Sequence, residues 1–367
     1  VRKTCARQIN HRTDRAFALR ERCDVFDTWL IRAMAPGQYT DARTLLLQSV
    51  YDRCTDQTGT PCQQNAHILP SPAVLGIRVP QQTYIRSMCE TVEALQAILE
   101  SRGPWAVLTG AGVSSDSGIP TYRDHDGKWL GGKPIQHDEF IQDEAKRRRY
   151  WSRSALGWPR VARARPNATH AALTQLEAAG IVKGVITQNV DRLHQRSGTQ
   201  NVIDLHGRLD HVRCLGCGHT ENRNHVQKWL ENHNMIPQLS ETAVRPDGDA
   251  SLPDSFIDQF QVPKCARCSG VVKPDVVFFG GTVPKYTVAQ CHALIDQSEG
   301  LLVIGSSLSV YSGFRFCRYC AQQNKPVVIL NQGKTRADEL SLHRFSTTPL
   351  TLLQQCADRM QQSCRSG

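Results

Sequence analysis

Apolar residues recur at helical spacing through Met88, Val92, Leu95 and Leu99, and Gly103-Pro104 predicts an end to that helix. The unbroken apolar run WAVLTG (105–110) then reads as a buried strand. Thr169 is placed to cap a helix running through Ala179, with Gly180 at its end. Four more short apolar runs follow: IVKGVITQN (181–189), NVIDL (201–205), GLLVIGSS (300–307) and KPVVILN (325–331). Helical stretches separate several of them, and such alternation predicts an α/β fold built on a doubly wound parallel sheet.

The predicted strands share a feature at their carboxyl ends. Each closes on polar or glycine residues: Thr109-Gly110, Gln188-Asn189, His206-Gly207, Gly305-Ser306-Ser307, and Asn331 with Gly333. Ligands of open α/β sheets bind outside the carboxyl ends of the strands. One polar strand end is an ordinary turn, whereas five converging on one crevice point to a site.

Residues 1–87 lack this patterning. FDTWLIRAM and ARTLLLQSVYDR suit short helices, and QTGTPCQQNAHILPSPAVLGIRVPQQ has the composition of a linker. An accessory or poorly ordered extension of unassigned role is expected there. The first residue is Val, as in a fragment or a chain with an unusual start codon.

Composition narrows the class. The 367 residues are 40% hydrophobic, enough for a buried core, and no apolar run is long enough to span a membrane. The net charge of +10 suits anionic partners but is too diffuse to argue for DNA. Residues 1–88 hold twelve Lys and Arg against seven Asp and Glu. The acids Asp14, Glu21, Asp24 and Asp27 count against a transit peptide, and no secretory apolar region appears. A cytoplasmic location is expected, or the mitochondrial matrix for a eukaryotic source.

Fourteen cysteines might suggest a disulfide framework, but a chain of this length does not need one. Four of them form two C-x-x-C knuckles, Cys214/Cys217 and Cys265/Cys268. Two such pairs can complete a tetrahedron of thiolates, the set that a structural zinc ion takes, with no position left open for catalysis. A redox pair is the alternative. The stretch between the knuckles is polar, with little apparent core, and a metal staple is what a small insert of that kind needs. Cys317-Arg-Tyr-Cys320 falls where a helix is expected, with no second pair nearby, and reads as buried packing, as does Cys291-His292.

Taken in order, GAGVSSDSGIPTYRD, TQNVDRLHQRSG, LHG, the paired knuckles, KPDVVFFG, GSSLSVYSG and ILNQG resemble the sirtuins, NAD-dependent protein deacylases. KPIQHDEF, RRRYWSRSALGWP and KPDVVFFG resemble the class II branch that includes the sirtuin-four type. The resemblance implies a catalytic domain over 88–367. A Rossmann-like part would span 88–211 and 273–367, with a zinc-binding insert at 212–272 and residues 1–87 outside the match. NAD would be the co-substrate, one zinc ion would be structural, and acylated lysine side chains of proteins would be the substrates. A monomer is expected, with no membrane or specific nucleic-acid partner.

The same resemblance distributes roles. Gly110, Ala111 and Gly112 would bring backbone N–H groups to the NAD pyrophosphate. Asp116, Gly118, Ile119 and Pro120 would continue that loop, with Tyr122 and Arg123 closing over the cofactor. Gln188, Asn189, Val190 and Asp191 would hold the nicotinamide ribose region. Gly305, Ser306 and Ser307 would sit by the phosphates, Asn331, Gln332 and Gly333 by the adenine-side ribose, and Pro349 near the adenine. His206 would be the catalytic base: an imidazole near neutrality suits removal of a ribose proton after the acyl oxygen has displaced nicotinamide. Ile119 and Phe140 would wall the dry pocket, and VKPDVVFFGG (272–281) would pair with the substrate backbone.

Two other classes fit less well. A hydride-transferring dehydrogenase needs G-x-G-x-x-G and an acid at the end of the next strand. Here position 115 is Ser and the third glycine comes late, at Gly118. A nucleic-acid-binding zinc module needs aromatics on a basic stripe, whereas the insert offers Trp229, Phe256 and Phe260 among many acids. Within the family, protein ADP-ribosyl transfer and removal of long-chain or lipoyl groups remain as alternatives.

Class II relatives that prefer acidic acyl groups use a Tyr–Arg pair after the GIP motif. TYRDHDGKWLGGKP (121–134) offers no such pair beyond Arg123. Succinyl-lysine peptide is therefore expected to be cleaved more slowly than acetyl-lysine peptide; a faster desuccinylation in matched assays would refute this.

Overall fold

The computed structural model describes residues 92–121, 134–237, 252–346 and 349–365. The expected extension at 1–87 and its two helices, with Met88, Tyr122 and Arg123, lie outside the described residues. The first half runs α1 (Val92–Ser101), β1 (Trp105–Thr109), two 3-10 turns (Ala111–Val113 and Ser115–Ser117), α2 (His137–Gln142), α3 (Glu144–Arg163), α4 (Ala168–Ala178), β2 (Val182–Thr187), α5 (Leu193–Ser197), β3 (Val202–Asp204), β4 (Gly207–Cys214) and β5 (Thr220–Asn222). Then come α6 (Arg223–His233), α7 (Asp254–Gln259), β6 (Val272–Val276), α8 (Lys285–Asp296), β7 (Gly300–Ile304), α9 (Tyr311–Gln322), β8 (Val327–Leu330), β9 (His343–Phe345) and α10 (Pro349–Arg365).

Strands β3-β2-β1-β7-β8-β9 form one six-stranded sheet in that order, every pair parallel. Alternate residues feed opposite cores. Trp105 and Val107 of β1, with Leu302 and Ile304 of β7, face a core closed by α1, α4 and α10 through Leu95, Leu173 and Leu353. Ala106, Leu108, Leu301 and Val303 face the other core, closed by α8 and α9 through Ile295 and Phe316. Both faces are covered, so the strands read as continuous apolar runs rather than alternating ones. The expected Rossmann-like, doubly wound sheet is present. Its order reverses between β1 and β7, which puts the switch-point crevice at their carboxyl ends. The buried Cys291, Cys317 and Cys320 pack inside helices α8 and α9, as read from the sequence.

Three local features differ from the sequence reading. The cap of α4 is Asn167, two residues before Thr169; its side chain accepts from the backbone N–H groups of Thr169 and His170. A sixth strand, β9, is added by the three residues His343–Phe345. The insert also has a core: Val226, Leu230 and Phe260 pack with Phe140, Trp151 and Ala155 of α2 and α3. Buried Arg223 of α6 lies 5.4 Å from the Trp151 and Trp158 rings and donates to Ser154 O, which fastens α6 to α3.

The second sheet, β5-β4-β6, is antiparallel and carries the knuckles. The Sγ atoms of Cys214, Cys217, Cys265 and Cys268 all lie within 4.8 Å of one another, and all four are free thiols. The Cys214–Cys268 and Cys217–Cys265 sulfur separations are 3.5 and 3.7 Å. A tetrahedral zinc site with Zn–S near 2.3 Å puts sulfurs about 3.8 Å apart, so the set fits the ion. The backbone N–H groups of Cys217 and Gly216 pull the Cys214 thiol down to about 6, whereas Cys268, despite the Gly270 N–H, is pushed up to about 12 by the neighbouring thiols, so a cation between them is what four thiolates need.

Beneath β1, the rings of His170 (α4) and His194 (α5) lie 4.8 Å apart. Burial lowers His170 to about 4; burial, then the charge of His170, lowers His194 to about 3. Below the ordinary value of about 6.5 the unfolded chain takes up protons that the folded protein refuses. Stability therefore falls as pH drops from there towards 4 and 3, by about 1.4 kcal/mol per His per pH unit.

Two predictions follow from these packing features. The purified protein should carry one zinc ion per chain, and Cys217→Ser should lose it and melt several degrees lower; an equal midpoint without metal would refute the staple. Urea unfolding should show stability dropping between pH 6.5 and 5, with a shallower drop in His194→Gln; a flat wild-type profile would refute the buried pair.

Candidate active site at the switch point

The loops after β1 and β7 meet backbone to backbone. Gly112 N donates to Gly305 O at 2.9 Å, and a Cβ on Gly112 would stand 2.9 Å from that oxygen. Gly305 itself adopts φ +60, which a side chain would strain. After Gly110 the chain makes two 3-10 turns rather than an α-helix, the first holding half-buried Ala111 and Gly112; Gly118 closes the second. Asp116 is exposed, and Ile119 and Pro120 are half-buried. Asn167 Nδ2 donates to Val113 O at 2.7 Å and to Ser117 Oγ at 3.1 Å, tying the loop to the start of α4.

The end of β2 is laced into both loops. Gln188 Nε2 donates to Ser306 Oγ at 2.7 Å, and Gln188 N to Thr109 O at 3.0 Å. Asn189 Nδ2 donates to Gly110 O at 3.0 Å and Ser114 Oγ at 2.9 Å. Ser114 in turn donates to Asp191 Oδ2 at 2.6 Å. Asp191 Oδ1 also accepts Leu193 N–H at 2.9 Å, so the carboxylate caps α5 and braces the loop at once. Burial raises the Asp191 pKa, and the Ser114 hydrogen bond works against that rise. Val190 O accepts the N–H of Leu209 in β4, which joins this loop to the second sheet.

His206 stands between β3 and β4 with a half-buried ring. Its Nδ1 lies 3.0 Å from Gln188 O and its Nε2 lies 2.8 Å from Ser312 Oγ. A carbonyl only accepts, so Nδ1 carries the proton and Nε2 keeps its lone pair. Burial lowers the pKa of the imidazole, and the charge of Arg315 lowers it further, while the Gln188 carbonyl works in the other direction. The result is a neutral base with one lone pair to offer. His206 O also accepts Val277 N–H, which anchors the start of the 277–281 segment; Phe279 O accepts His137 N–H at 2.8 Å.

The structure thus brings together Gly110, Ala111, Gly112, Gln188, Asn189, Val190, Asp191, His206, Gly305 and Ser306. Ser307 O accepts Arg336 N–H, and Asn331 Nδ2 donates to Gly333 O at 2.7 Å, a turn braced by Arg344. Gln332 is exposed in that turn, and Pro349 opens α10. Phe140 does not wall a pocket: it is wholly buried against Tyr150 and Phe278 in the insert's core. Sequence reasoning missed Ser114, Asn167 and Ser312. Ser114 and Ser312 lie inside quoted motifs, but their partners are 77 and 106 residues away.

The glycine contacts, the switch-point location and the amide and hydroxyl donors fit a dinucleotide. Residues 110–312 match the profile of the Sir2 family. The "NAD-dependent protein deacetylase" of Xanthomonas campestris pv. campestris (strain 8004) is 48% identical over 275 residues, covering 74% of this chain and 94% of that protein. The "NAD-dependent protein deacetylase 2" of Bradyrhizobium diazoefficiens is 48% identical over 248 residues, covering 68% and 91%. A solved structure described as "Sir2-p53 peptide-NAD+" superposes with a TM-score of 0.60 at 27% identity, covering 76% of this chain and 100% of that one. On the family match and these relatives, the chain belongs to the Sir2 family, the sirtuins.

Proposed function

We propose that the protein is an NAD-dependent protein lysine deacetylase with His206 as its base. The observation that carries this reading is the imidazole beside the interlocked strand ends, with Nδ1–H held by the Gln188 carbonyl and Nε2 unprotonated. The relatives' names, "NAD-dependent protein deacetylase", support the same activity.

NAD as co-substrate supplies an anomeric carbon from which the acyl oxygen displaces nicotinamide, and a ribose hydroxyl that then captures the acyl group. The chain's own residues bind, orient and move one proton. The N–H groups of Gly110 and Gly112 donate to Ile304 O and Gly305 O, so the pyrophosphate would be received by Ala111 N–H and the Ser306-Ser307 turn, where N–H dipoles favour phosphate. Asn189 and Asp191, already fixed by Ser114 and Leu193 N–H, would hold the nicotinamide ribose without reorganising. His206 Nε2 would take the ribose proton while the Gln188 carbonyl holds Nδ1–H and steadies the resulting imidazolium. The 277–281 segment would pair with an extended peptide, so recognition would fall mainly on backbone. The motifs KPIQHDEF and RRRYWSRSALGWP support a reading of the protein as a class II sirtuin. Four thiolates on a structural metal suit a reducing, cytoplasmic compartment.

With acetyl-lysine peptide and NAD, wild type should release nicotinamide and deacetylate the peptide. Its kcat/KM should fall only below the ordinary histidine range near pH 6.5, because burial keeps the base neutral to lower pH. His206→Ala should retain the fold and lose at least about 100-fold in deacetylation. Full activity in His206→Ala would overturn the assignment.

A further inference from the structure

The reading of His206 as the base leaves its Nε2 partner unexplained. In the resting protein that lone pair is taken by the hydroxyl of Ser312, 2.8 Å away on the first turn of α9. We infer that Ser312 is a positioning residue: it holds the His206 ring with Nε2 unprotonated until the ribose hydroxyl displaces the serine hydroxyl at that nitrogen and passes its proton there; this rests on the base assignment proposed above.

The geometry is specific. Nδ1 is bound to an acceptor, so Nε2 is bare, and a serine hydroxyl facing it donates. The imidazole is therefore held at both nitrogens, and rotation about its side-chain bonds would break two hydrogen bonds in a half-buried place. The same turn of α9 controls the other partner. A Cβ on Gly313 would lie 2.8 Å from Gln188 Oε1, so the glycine leaves room for the side chain of the residue whose carbonyl holds Nδ1. Ser312 and Gly313 thus seat both neighbours of the ring from one point on the helix.

The charged groups around the ring are consistent with a neutral resting base. Arg315, on the next turn of α9, has its guanidinium carbon 5.3 Å from the centre of the Tyr311 ring, its charge lowers the His206 pKa, and Ser312 stands at the positive end of the helix dipole. On the second sheet, the Asp275 carboxylate of β6 is held by Arg213 of β4 at 2.9 Å rather than by the imidazole. Ser312 is thus the hydrogen-bonding side chain at Nε2 among the described residues.

The inference separates two steps of the proposed reaction. Nicotinamide leaves before the base is needed, whereas acyl capture by the ribose hydroxyl requires the base in place. Ser312→Ala should lower deacetylation by about tenfold, as expected when a positioned base loses its alignment. Exchange of labelled nicotinamide into NAD in the presence of acetyl-lysine peptide should stay within about twofold, because it reports only the first step. Ser312→Thr should restore deacetylation, and Ser312→Cys, a weaker donor of similar size, should fall between. Nitrogen NMR of histidine-labelled full-length protein, without substrate, should show His206 in wild type as a single neutral tautomer protonated on Nδ1, and Ser312→Ala should shift its Nε2 resonance. Equal loss of exchange and deacetylation in Ser312→Ala, no loss of either, or a wild-type His206 protonated on Nε2 would overturn the inference. The spectrum needs no turnover: a wild type inactive with NAD would refute the base assignment while the NMR still tests the contact.

Discussion

The contact on which the site depends is the one between the loop after β1 and the loop after β7. Both loops lie at the switch point of the sheet, and Gly112 meets Gly305 with no room for a side chain between them. That contact fixes the height of the first loop above the strand ends. Gln188 and Asn189 can then reach Ser306, Gly110 and Ser114 with ordinary hydrogen-bond lengths. The polar groups at the strand ends therefore hold one another before any ligand arrives, and preorganised donors are the ones that contribute most to catalysis.

The same arrangement separates this chain from a dehydrogenase. Both use glycines to bring backbone to a pyrophosphate. In the dehydrogenase fingerprint a helix starts at once and the next strand end brings an acid. Here two 3-10 turns extend the loop through Ser117 to Gly118, and Asp191, the acid that follows β2, is aimed back at Ser114. The His206 imidazole also stands at the neighbouring strand end. These features suit chemistry at the bond between nicotinamide and ribose rather than on the nicotinamide ring.

Much of this was legible in the sequence. The five apolar runs are strands because both faces of the sheet are covered, and their polar ends mark the crevice. The paired knuckles marked the insert, though not the antiparallel sheet that carries them. What escaped reading was set by contacts across long stretches of chain. His206 and Ser312 are 106 residues apart, and nothing local in SVYSG says that the serine faces an imidazole. The core of the insert was invisible because part of it, Phe140, Trp151 and Ala155, comes from helices that precede β2. Strand β9 is only three residues long and begins with His and Arg, so its pattern is too short to register. The cap of α4 was misplaced by two residues because Thr169 and Asn167 are both good capping residues; the bonds from Asn167 to Val113 and Ser117 single out the latter.

The central claim is that the acyl group passes from lysine to the ribose of NAD. The most direct measurement is the product stoichiometry, by mass spectrometry, after incubation of the protein with NAD and an acetyl-lysine peptide. Equal amounts of nicotinamide, deacetylated peptide and acetyl-ADP-ribose are predicted. Nicotinamide accompanied by free ADP-ribose, or by ADP-ribosylated peptide still bearing its acetyl group, would contradict the account.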